Sequence, residues 1–202
     1  MGVAVGEFKA QGGKKRDRLL RLLTYEVVDG KPIYYRGYRD VLEGKKQPEE
    51  VMGSSALQSK VLEMLLRFLF LRLPADKFRV ATGEVGVITS EGNVRSLDIG
   101  VFPVSKVREY ENLPHYYPVP PDVVIEVDVK AHLEDGDSAT YILQKSRELL
   151  TFGVEKVVWI LTSTESVFVF EKGKKPVIYD WEDEIHLLED VKLRLSDIVK
   201  RP

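Results

Sequence analysis

The chain has 202 residues, 44% of them hydrophobic and 31% charged, with a formal net charge of −2. This composition predicts one globular domain, and the absence of cysteine excludes disulfides and thiolate zinc sites. The three histidines lie far apart in sequence, without the spacing of a metal motif. With no apolar leader and no uninterrupted apolar span, we expect a cytoplasmic protein that does not contact a membrane.

Charge is distributed unevenly along the chain. Acidic residues crowd positions 182–190. Basic residues crowd the start: Lys14, Lys15, Arg16, Arg18 and Arg21. We predict that residues 1–24 form a basic, partly flexible arm, with a short helix beginning near Arg18, and that residues 25–202 form a single domain. The arm either contacts phosphates or is a solvated tail.

The first elements after the arm are predicted by turn and cap residues. Apolar runs flank Asp29-Gly30, which predicts a hairpin over Tyr25–Tyr35. Residues 42–51 are predicted to be a loop. Ser55 followed by Gln58 matches a capping box, so a helix is expected to begin there and to end before Pro74.

Strand-like runs follow at 78–82, 84–89, 95–104 and 121–130. A helix over 138–152, capped by Asp137 or Ser138, leads to a further strand at 156–161. A hairpin, one last strand and a short helix complete the chain. A helix between two strands indicates a βαβ crossover, while the hairpins are antiparallel. The predicted class is therefore α/β or α+β, with a mixed sheet flanked by helices.

Charged residues interrupt the apolar strand over 121–130. In an extended chain Glu126, Asp128 and Lys130 share one face, opposite Val123, Ile125, Val127 and Val129. Ionised groups near low dielectric must be paired or bind a metal. Carboxylates at this position indicate a site for a hard cation such as Mg²⁺.

Further charged residues stand out on neighbouring elements. Asp98 is expected on the strand face opposite Leu97, Ile99 and Val101. Lys145 falls inside the apolar stripe of the 138–152 helix; it either snorkels to water or points at the strand carboxylates. Glu26 and Glu84 are expected to face solvent unless the fold brings them near Asp98.

These residues carry a resemblance to a known family. The series of Asp98, PPDVVIEV, Lys145 and FGVEKVVWIL resembles the Uma-type restriction endonuclease family of bacteria, within the PD-(D/E)XK nuclease superfamily. The resemblance spans roughly residues 25–199. It implies a mixed sheet flanked by helices, with a divalent metal at one end.

The resemblance also implies roles for individual residues. Asp98 matches the metal-binding aspartate and Glu126 the glutamate of the (D/E)XK element. Lys145 matches the lysine that this family supplies from the following helix, and Lys130 is the competing candidate. The chain departs from the pattern after Glu126, where the family has hydrophobic–Ser–Pro–Ser. It also has Gln58-Ser59 where the family has a histidine.

The leading hypothesis is a metal-dependent DNA endonuclease that uses Mg²⁺ or Mn²⁺. Asp98 and Glu126 would hold the metal, with Asp128 or Glu84, and Lys145 or Lys130 would be the catalytic amine. The alternatives are an inactive nucleic-acid-binding or protein-interaction module and a structural dimer module. A homodimer is expected from the two-fold symmetry of duplex cleavage. The leading hypothesis requires an aspartate, a glutamate and an amine to converge at a sheet rim open to solvent.

Overall fold

The computed structural model describes residues 4–133 and 138–199, and side chains from residue 13 onward. The helices are α1 Ala4–Leu22, α2 Tyr38–Leu42, α3 Pro48–Met52, α4 Ala56–Arg72, α5 Val104–Val107, α6 Ser138–Phe152 and α7 Leu195–Ile198. The strands are β1 Thr24–Val28, β2 Lys31–Tyr34, β3 Phe78–Ser90, β4 Asn93–Pro103, β5 Val123–Val127, β6 Lys156–Leu161, β7 Ser166–Glu171, β8 Val177–Asp180, β9 Ile185–Leu188 and β10 Val191–Leu193.

One mixed sheet organises these elements. Its strand order is β2-β1-β4-β5-β6-β7-β8, and β3 pairs along β4 as a further strand. β5 and β6 are parallel, whereas the other neighbours in the sheet are antiparallel. The parallel pair is the one that α6 separates in sequence, as a crossover requires. The predicted fold class is therefore confirmed.

The sheet has a hydrophobic core on each face. Helix α4 and the β9–β10 hairpin cover one face, where Leu65 and Leu69 pack against Ile125 and Val158. Helix α6 covers the other face, where Leu149 lies in a second cluster with Val124 and Trp159. Every residue of β5 is buried. A charged side chain on β5 therefore enters the interior between the sheet and α6.

Several local predictions are confirmed. Asp29 and Gly30 have φ values of 51° and 71°, as the turn between β1 and β2 requires. Ser55 caps α4 by accepting a hydrogen bond from the Gln58 N–H at 3.1 Å. Gly153, with φ 120°, ends α6. The proposed cap at Asp137 lies outside the described residues.

Other predictions are wrong. Residues 42–51, expected as a loop, contain the end of α2 and most of α3. The two runs over 78–89 are one strand, β3, whose pairing with β4 shifts register between Thr82 and Val85. The strand expected to reach Lys130 ends at Val127. The segment predicted to be one last strand forms a hairpin of two strands, β9 and β10.

The basic segment is helical over a longer range than expected. Its helix, α1, runs over Ala4–Leu22, where only a short helix from Arg18 was predicted. Leu23, directly after it, is fully buried. The division between an arm and a domain at residue 24 stays a prediction.

The packing of α4 predicts two different outcomes on one helix. Leu65→Ala removes a fully buried side chain and should lower the free energy of unfolding by about 2–5 kcal/mol. Leu71→Ala alters a side chain that is 84% exposed and should change it by no more than about 0.5 kcal/mol. Urea unfolding measures both, and equal effects would contradict the assignment of the buried face.

Candidate functional site

The structure brings Asp98, Glu126 and Lys145 together on the α6 side of the sheet. Lys145 Nζ lies 3.0 Å from Glu126 Oε1. The Asp98 carboxylate accepts a hydrogen bond of 2.8 Å from the N–H of Val127, the residue after Glu126. The three residues converge as the leading hypothesis requires, and their chemical roles stay predictions.

The group is closed rather than open. Asp98 is 4% exposed, Glu126 1% and Lys145 0%. The expectation of a solvent-open rim is therefore wrong. The physical reason is that α6 packs directly over β5 and carries Lys145 on its buried face.

Glu26 of β1 is part of the same cluster. Glu26 was expected to face solvent unless the fold brought it near Asp98. It is 1% exposed, because β1 pairs with β4 and directs Glu26 inward. Its carboxylate lies 2.8 Å from Lys145 Nζ and accepts a hydrogen bond of 2.7 Å from the Tyr141 hydroxyl. Lys145 therefore bridges two carboxylates from different strands.

Two further ionic residues, Arg95 and Glu148, complete the network, and sequence reasoning missed both. Arg95 of β4 donates to Glu26 at 2.8 Å and also pairs with Glu148 of α6. No signal in the sequence identified Arg95, which follows a turn and resembles a surface residue. Tyr141, which donates to Glu26, did carry a signal in the sequence, because a tyrosine in an apolar stripe needs a partner for its hydroxyl.

Lys145 is also enclosed by aromatic rings. Its Nζ lies 5.4 Å from the ring centroid of Trp159, 5.6 Å from Tyr25 and 5.9 Å from Tyr141. It donates a hydrogen bond of 2.6 Å to the Ser96 carbonyl. Cation–π attraction and the carboxylates together compensate for the loss of water around this ammonium. Lys145 does not snorkel to water.

The two carboxylates beside Lys145 differ in ionisation. Burial raises the pKa of Glu126 to about 8, with repulsion from Asp98 and Glu26 adding to the effect and Lys145 opposing it. Burial also acts to raise the pKa of Glu26, but Lys145 and Arg95 outweigh it, so the pKa of Glu26 is lowered. Glu26 is thus the ionised partner of Lys145. Among the described residues, Glu126 Oε1 is ion-paired with Lys145 at 3.0 Å, and Lys145 shares its charge with Glu26.

Lys130 lies at the less buried side of the cluster. Its Nζ is 2.8 Å from Asp98 Oδ1 and 3.5 Å from Glu84 Oε1, and its side chain is 13% exposed. Burial acts to lower the pKa of Lys130, but Asp98 and Glu84 outweigh it and raise it. Glu84 also accepts a hydrogen bond from the Tyr35 hydroxyl. Asp98 therefore already has a cation, which is a side chain of the same protein.

Asp128 does not join the cluster. Its φ is 61°, so the alternation of β5 ends at Val127, and the expectation of a face shared with Glu126 is wrong. Both of its carboxylate oxygens accept hydrogen bonds of 2.8 Å from Thr162, one from the N–H and one from the hydroxyl. The predicted apolar face is also wrong at Val129. This residue packs against the core under α6, whereas Val123, Ile125 and Val127 lie in the core under α4.

Leu97 also departs from the predicted face. It packs in the core under α6, whereas Ile99 and Val101 pack in the core under α4. The register shift between β3 and β4 lies at this point, where Gly83 and Glu84 have positive φ values. The shifted pairing of β3 with β4 at this point accompanies the position of Asp98 and Glu84 beside Lys130.

The donor set has the chemistry of a hard-cation site. The carboxyl groups of Asp98 and Glu126 and the carbonyl of Val127 are oxygen donors, which Mg²⁺ prefers. Within the described part of the chain, no three His, Cys, Asp or Glu side chains are grouped as a metal site would require. A divalent ion would therefore use water for its remaining ligands, and Lys130 would have to leave Asp98.

Gln58 contacts this donor set. It is 5% exposed, and its side-chain amide donates a hydrogen bond of 2.6 Å to the Val127 carbonyl. Sequence reasoning assigned Gln58 to the cap of α4 and noted Gln58-Ser59 where the resembling family has a histidine. The residue at the position where the resembling family has a histidine thus reaches the end of β5.

Comparisons with known proteins agree with the fold. No protein-family model matches the sequence, and no curated protein matches it significantly. A crystal structure described as "a putative nuclease belonging to DUF820", from Anabaena variabilis ATCC 29413, superposes with a TM-score of 0.64. It covers 86% of this chain and 88% of that chain at 18% sequence identity, which shows a shared fold. No helix in 4–133 or 138–199 has the length and hydropathy needed to cross a bilayer.

The raised pKa of Glu126 predicts a pH-dependent stability. Between about pH 4.5 and about pH 8 the unfolded chain releases the Glu126 proton while the folded chain retains it. Raising the pH across this window should therefore destabilise the wild type relative to Glu126→Gln, with a slope approaching about 1.4 kcal/mol per pH unit.

Urea unfolding of both proteins in a chelator, at several pH values, measures this difference. Glu63→Gln is the matched control, because Glu63 is exposed and pairs with Arg67 on the surface of α4. Wild-type and Glu126→Gln stabilities that run parallel over the whole window would contradict the raised pKa.

Proposed function

We propose that this protein is a metal-dependent endonuclease of the PD-(D/E)XK type, which hydrolyses phosphodiester bonds in DNA. The observation that carries the proposal is the buried Glu126 carboxyl beside Asp98, because its cation, Lys145, is shared with Glu26. A divalent cation bound by Glu126 and Asp98 would supply the charge compensation that this shared ammonium leaves incomplete. The fold shared with a protein described as a nuclease is consistent with this function.

Asp98, Glu126 and the Val127 carbonyl would hold Mg²⁺ or Mn²⁺. When bound, the metal supplies an acidified water and neutralises charge on the scissile phosphate. Lys145 holds the Glu126 carboxyl in place through their ion pair, and Glu26 holds Lys145 through a second ion pair. Gln58 orients the Val127 carbonyl through its amide hydrogen bond.

Lys130 and Lys145 have different parts in this proposal. Lys145 is fully buried and has three polar partners, so it positions Glu126 rather than meeting the substrate. Lys130 is the amine at the less buried side, and it pairs with Asp98. A metal held by Asp98 would require Lys130 to leave this carboxylate, and Lys130 would then contact the phosphate.

A second function is favoured by the same burial. An inactive module that binds nucleic acid would retain Asp98, Glu126 and Lys145 as a sealed, charge-compensated group, as their low exposure permits. Lys130 would then be a permanent replacement for the metal. The two functions differ in whether the cluster accepts a divalent ion.

Cleavage of supercoiled plasmid DNA with Mg²⁺ or Mn²⁺ tests the first function. We expect the wild type to nick or linearise the plasmid, and Asp98→Asn to lower the rate by at least about 10²-fold, as loss of a metal-polarised group would. Asp122→Asn is the control, because Asp122 pairs with Lys106 instead of joining the cluster. If the wild type and Asp98→Asn are equally inert and calorimetry detects no metal binding, the nuclease function is refuted.

Metal affinity tests the role of Lys130 without reference to turnover. Lys130→Met removes the ammonium from Asp98 and should tighten Mn²⁺ binding by about tenfold, corresponding to about 1.4 kcal/mol. Calorimetry and the metal-dependent rise in Tm give two readouts. Lys106→Met breaks the equivalent pair with Asp122 and should leave the affinity unchanged. Weaker binding in Lys130→Met would show that Lys130 supports the metal instead of competing with it.

A further inference from the structure

Lys130 lies between two carboxylates that differ in exposure. Its Nζ is 2.8 Å from Asp98 Oδ1 and 3.5 Å from Glu84 Oε1. The first distance is that of a hydrogen bond, whereas the second is longer than a hydrogen bond allows. The Asp98 side chain is 4% exposed and the Glu84 side chain 36%. Lys130 is therefore bonded to an inner carboxylate and has an outer carboxylate beside it.

A β-bulge places the outer carboxylate at this position. The pairing of β3 with β4 shifts register between Thr82 and Val85. Two residues of β3, Gly83 and Glu84, therefore lie opposite one residue of β4, Asp98. Their φ values are 91° for Gly83 and 59° for Glu84. Because left-handed backbone is unfavourable for a glutamate, the fold keeps Glu84 beside Asp98 at the expense of local strain.

A neighbouring segment holds both Glu84 and Lys130. The Tyr35 hydroxyl donates a hydrogen bond to Glu84 Oε2, and the other oxygen, Oε1, is the one nearer to Lys130. Tyr35 is itself buried and forms a backbone bridge with Ala131. The next residue, Arg36, donates its N–H to the Lys130 carbonyl at 2.8 Å. The segment that orients the Glu84 carboxylate thus also fixes the backbone of Lys130.

Lys130 can exchange one carboxylate for the other by a side-chain rotation. An ammonium has three N–H donors on a flexible stem, so it has no fixed direction of bonding. Asp98 keeps a partner during the exchange, because its Oδ2 accepts the hydrogen bond from the Val127 N–H. The bond between Arg36 and the Lys130 carbonyl is also unaffected. The exchange therefore leaves the pairing of the strands intact.

The charge at Asp98 decides which carboxylate is preferred. Water screens the Asp98 carboxylate less than the more exposed Glu84 carboxylate, so an ionised Asp98 attracts the ammonium more strongly. A cation bound to Asp98 would cancel this attraction and repel Lys130. Glu84 would then be the remaining anion within reach of Lys130, on the side nearer to solvent.

We propose that Glu84 is a positioning residue, which receives Lys130 whenever the negative charge of Asp98 is removed or compensated. The inference rests on the proposed function for the identity of the compensating ion, a divalent metal. Glu84 then binds the displaced ammonium instead of the metal for which the sequence suggested it. Lys130 is kept at the solvent side of the cluster, where a substrate phosphate would meet it.

The variant Asp98→Asn tests the exchange without any metal. The buried Val127 N–H needs the side-chain oxygen of residue 98 as its acceptor, so the amide nitrogen would face Lys130 and repel it. We expect a crystal structure in a chelator to show Lys130 Nζ within about 3.2 Å of Glu84 Oε1. Lys130 still bonded to residue 98, or turned away from Glu84, would overturn the proposal.

The control is Asp122→Asn, which removes the carboxylate that pairs with Lys106. In its crystal structure Lys130 should remain on Asp98, because the charge of Asp98 is unchanged.

A double-mutant cycle measures the same exchange in solution. Lys130→Met and Glu84→Gln are made singly and together, in the wild-type and the Asp98→Asn backgrounds, and urea unfolding gives the coupling between them. We expect this coupling, as a ratio of unfolding equilibrium constants, to be at least about threefold larger in the Asp98→Asn background. Equal coupling in the two backgrounds would contradict the role of Glu84.

Wild-type crystals soaked in Mn²⁺ provide a measurement that needs no substitution. An ion at Asp98 with Lys130 bonded to Glu84 supports both proposals. An ion that Glu84 itself coordinates, or one beside a Lys130 that has no carboxylate partner, supports the metal site and refutes the positioning role. If no ion binds to the wild type, but Lys130 moves to Glu84 in Asp98→Asn, the metal-dependent function fails and the role of Glu84 stands.

Discussion

The ion pair between Lys145 and Glu26 is the constraint on which the rest of the site depends. A fully buried ammonium is tolerated only where its partners replace water in good geometry. Lys145 has Glu26 at 2.8 Å, the Ser96 carbonyl at 2.6 Å and three aromatic rings around it. Removing one partner of such a pair typically costs about 3–5 kcal/mol. The positions of β1, β4 and α6 relative to one another are therefore tightly coupled.

This pair also decides the state of Glu126. One ammonium cannot neutralise two buried carboxylates, and Arg95 adds its charge to the side of Glu26. Glu26 is consequently ionised, while the pKa of Glu126 rises to about 8. Glu126 is thus left as the carboxyl whose charge is least compensated. At neutral pH Glu126 therefore keeps its proton, and under the proposed function a divalent cation would have to displace that proton.

The sequence predicted the parts of the fold that depend on local chemistry. The turn at Asp29-Gly30, the Ser55 cap and the inward face of Glu126 follow from backbone preference and alternation. Lys145 was identifiable because it interrupts an apolar stripe. These signals require only neighbouring residues. That Asp98, Glu126 and Lys145 converge was implied by the resemblance to a nuclease family instead.

The remaining features depend on contacts between distant segments. Glu26 is buried because β1 pairs with β4, and nothing in the sequence around Glu26 encodes that pairing. Asp128 and Glu84 both have positive φ values, so the alternation used to assign their faces does not apply. The partners of Arg95 come from β1 and α6, 69 and 53 residues away. Such charges resemble surface residues until the tertiary structure is known.

Access to the cluster depends on the segment that carries Lys130. This segment follows the end of β5, and Asp98 and Glu84 hold the Lys130 side chain. Its backbone is hydrogen-bonded to residues 34–36, at the end of β2. Under the proposed function, phosphates of the substrate near Lys130 would compete with Asp98 for its ammonium, and substrate binding would then favour a metal at Asp98.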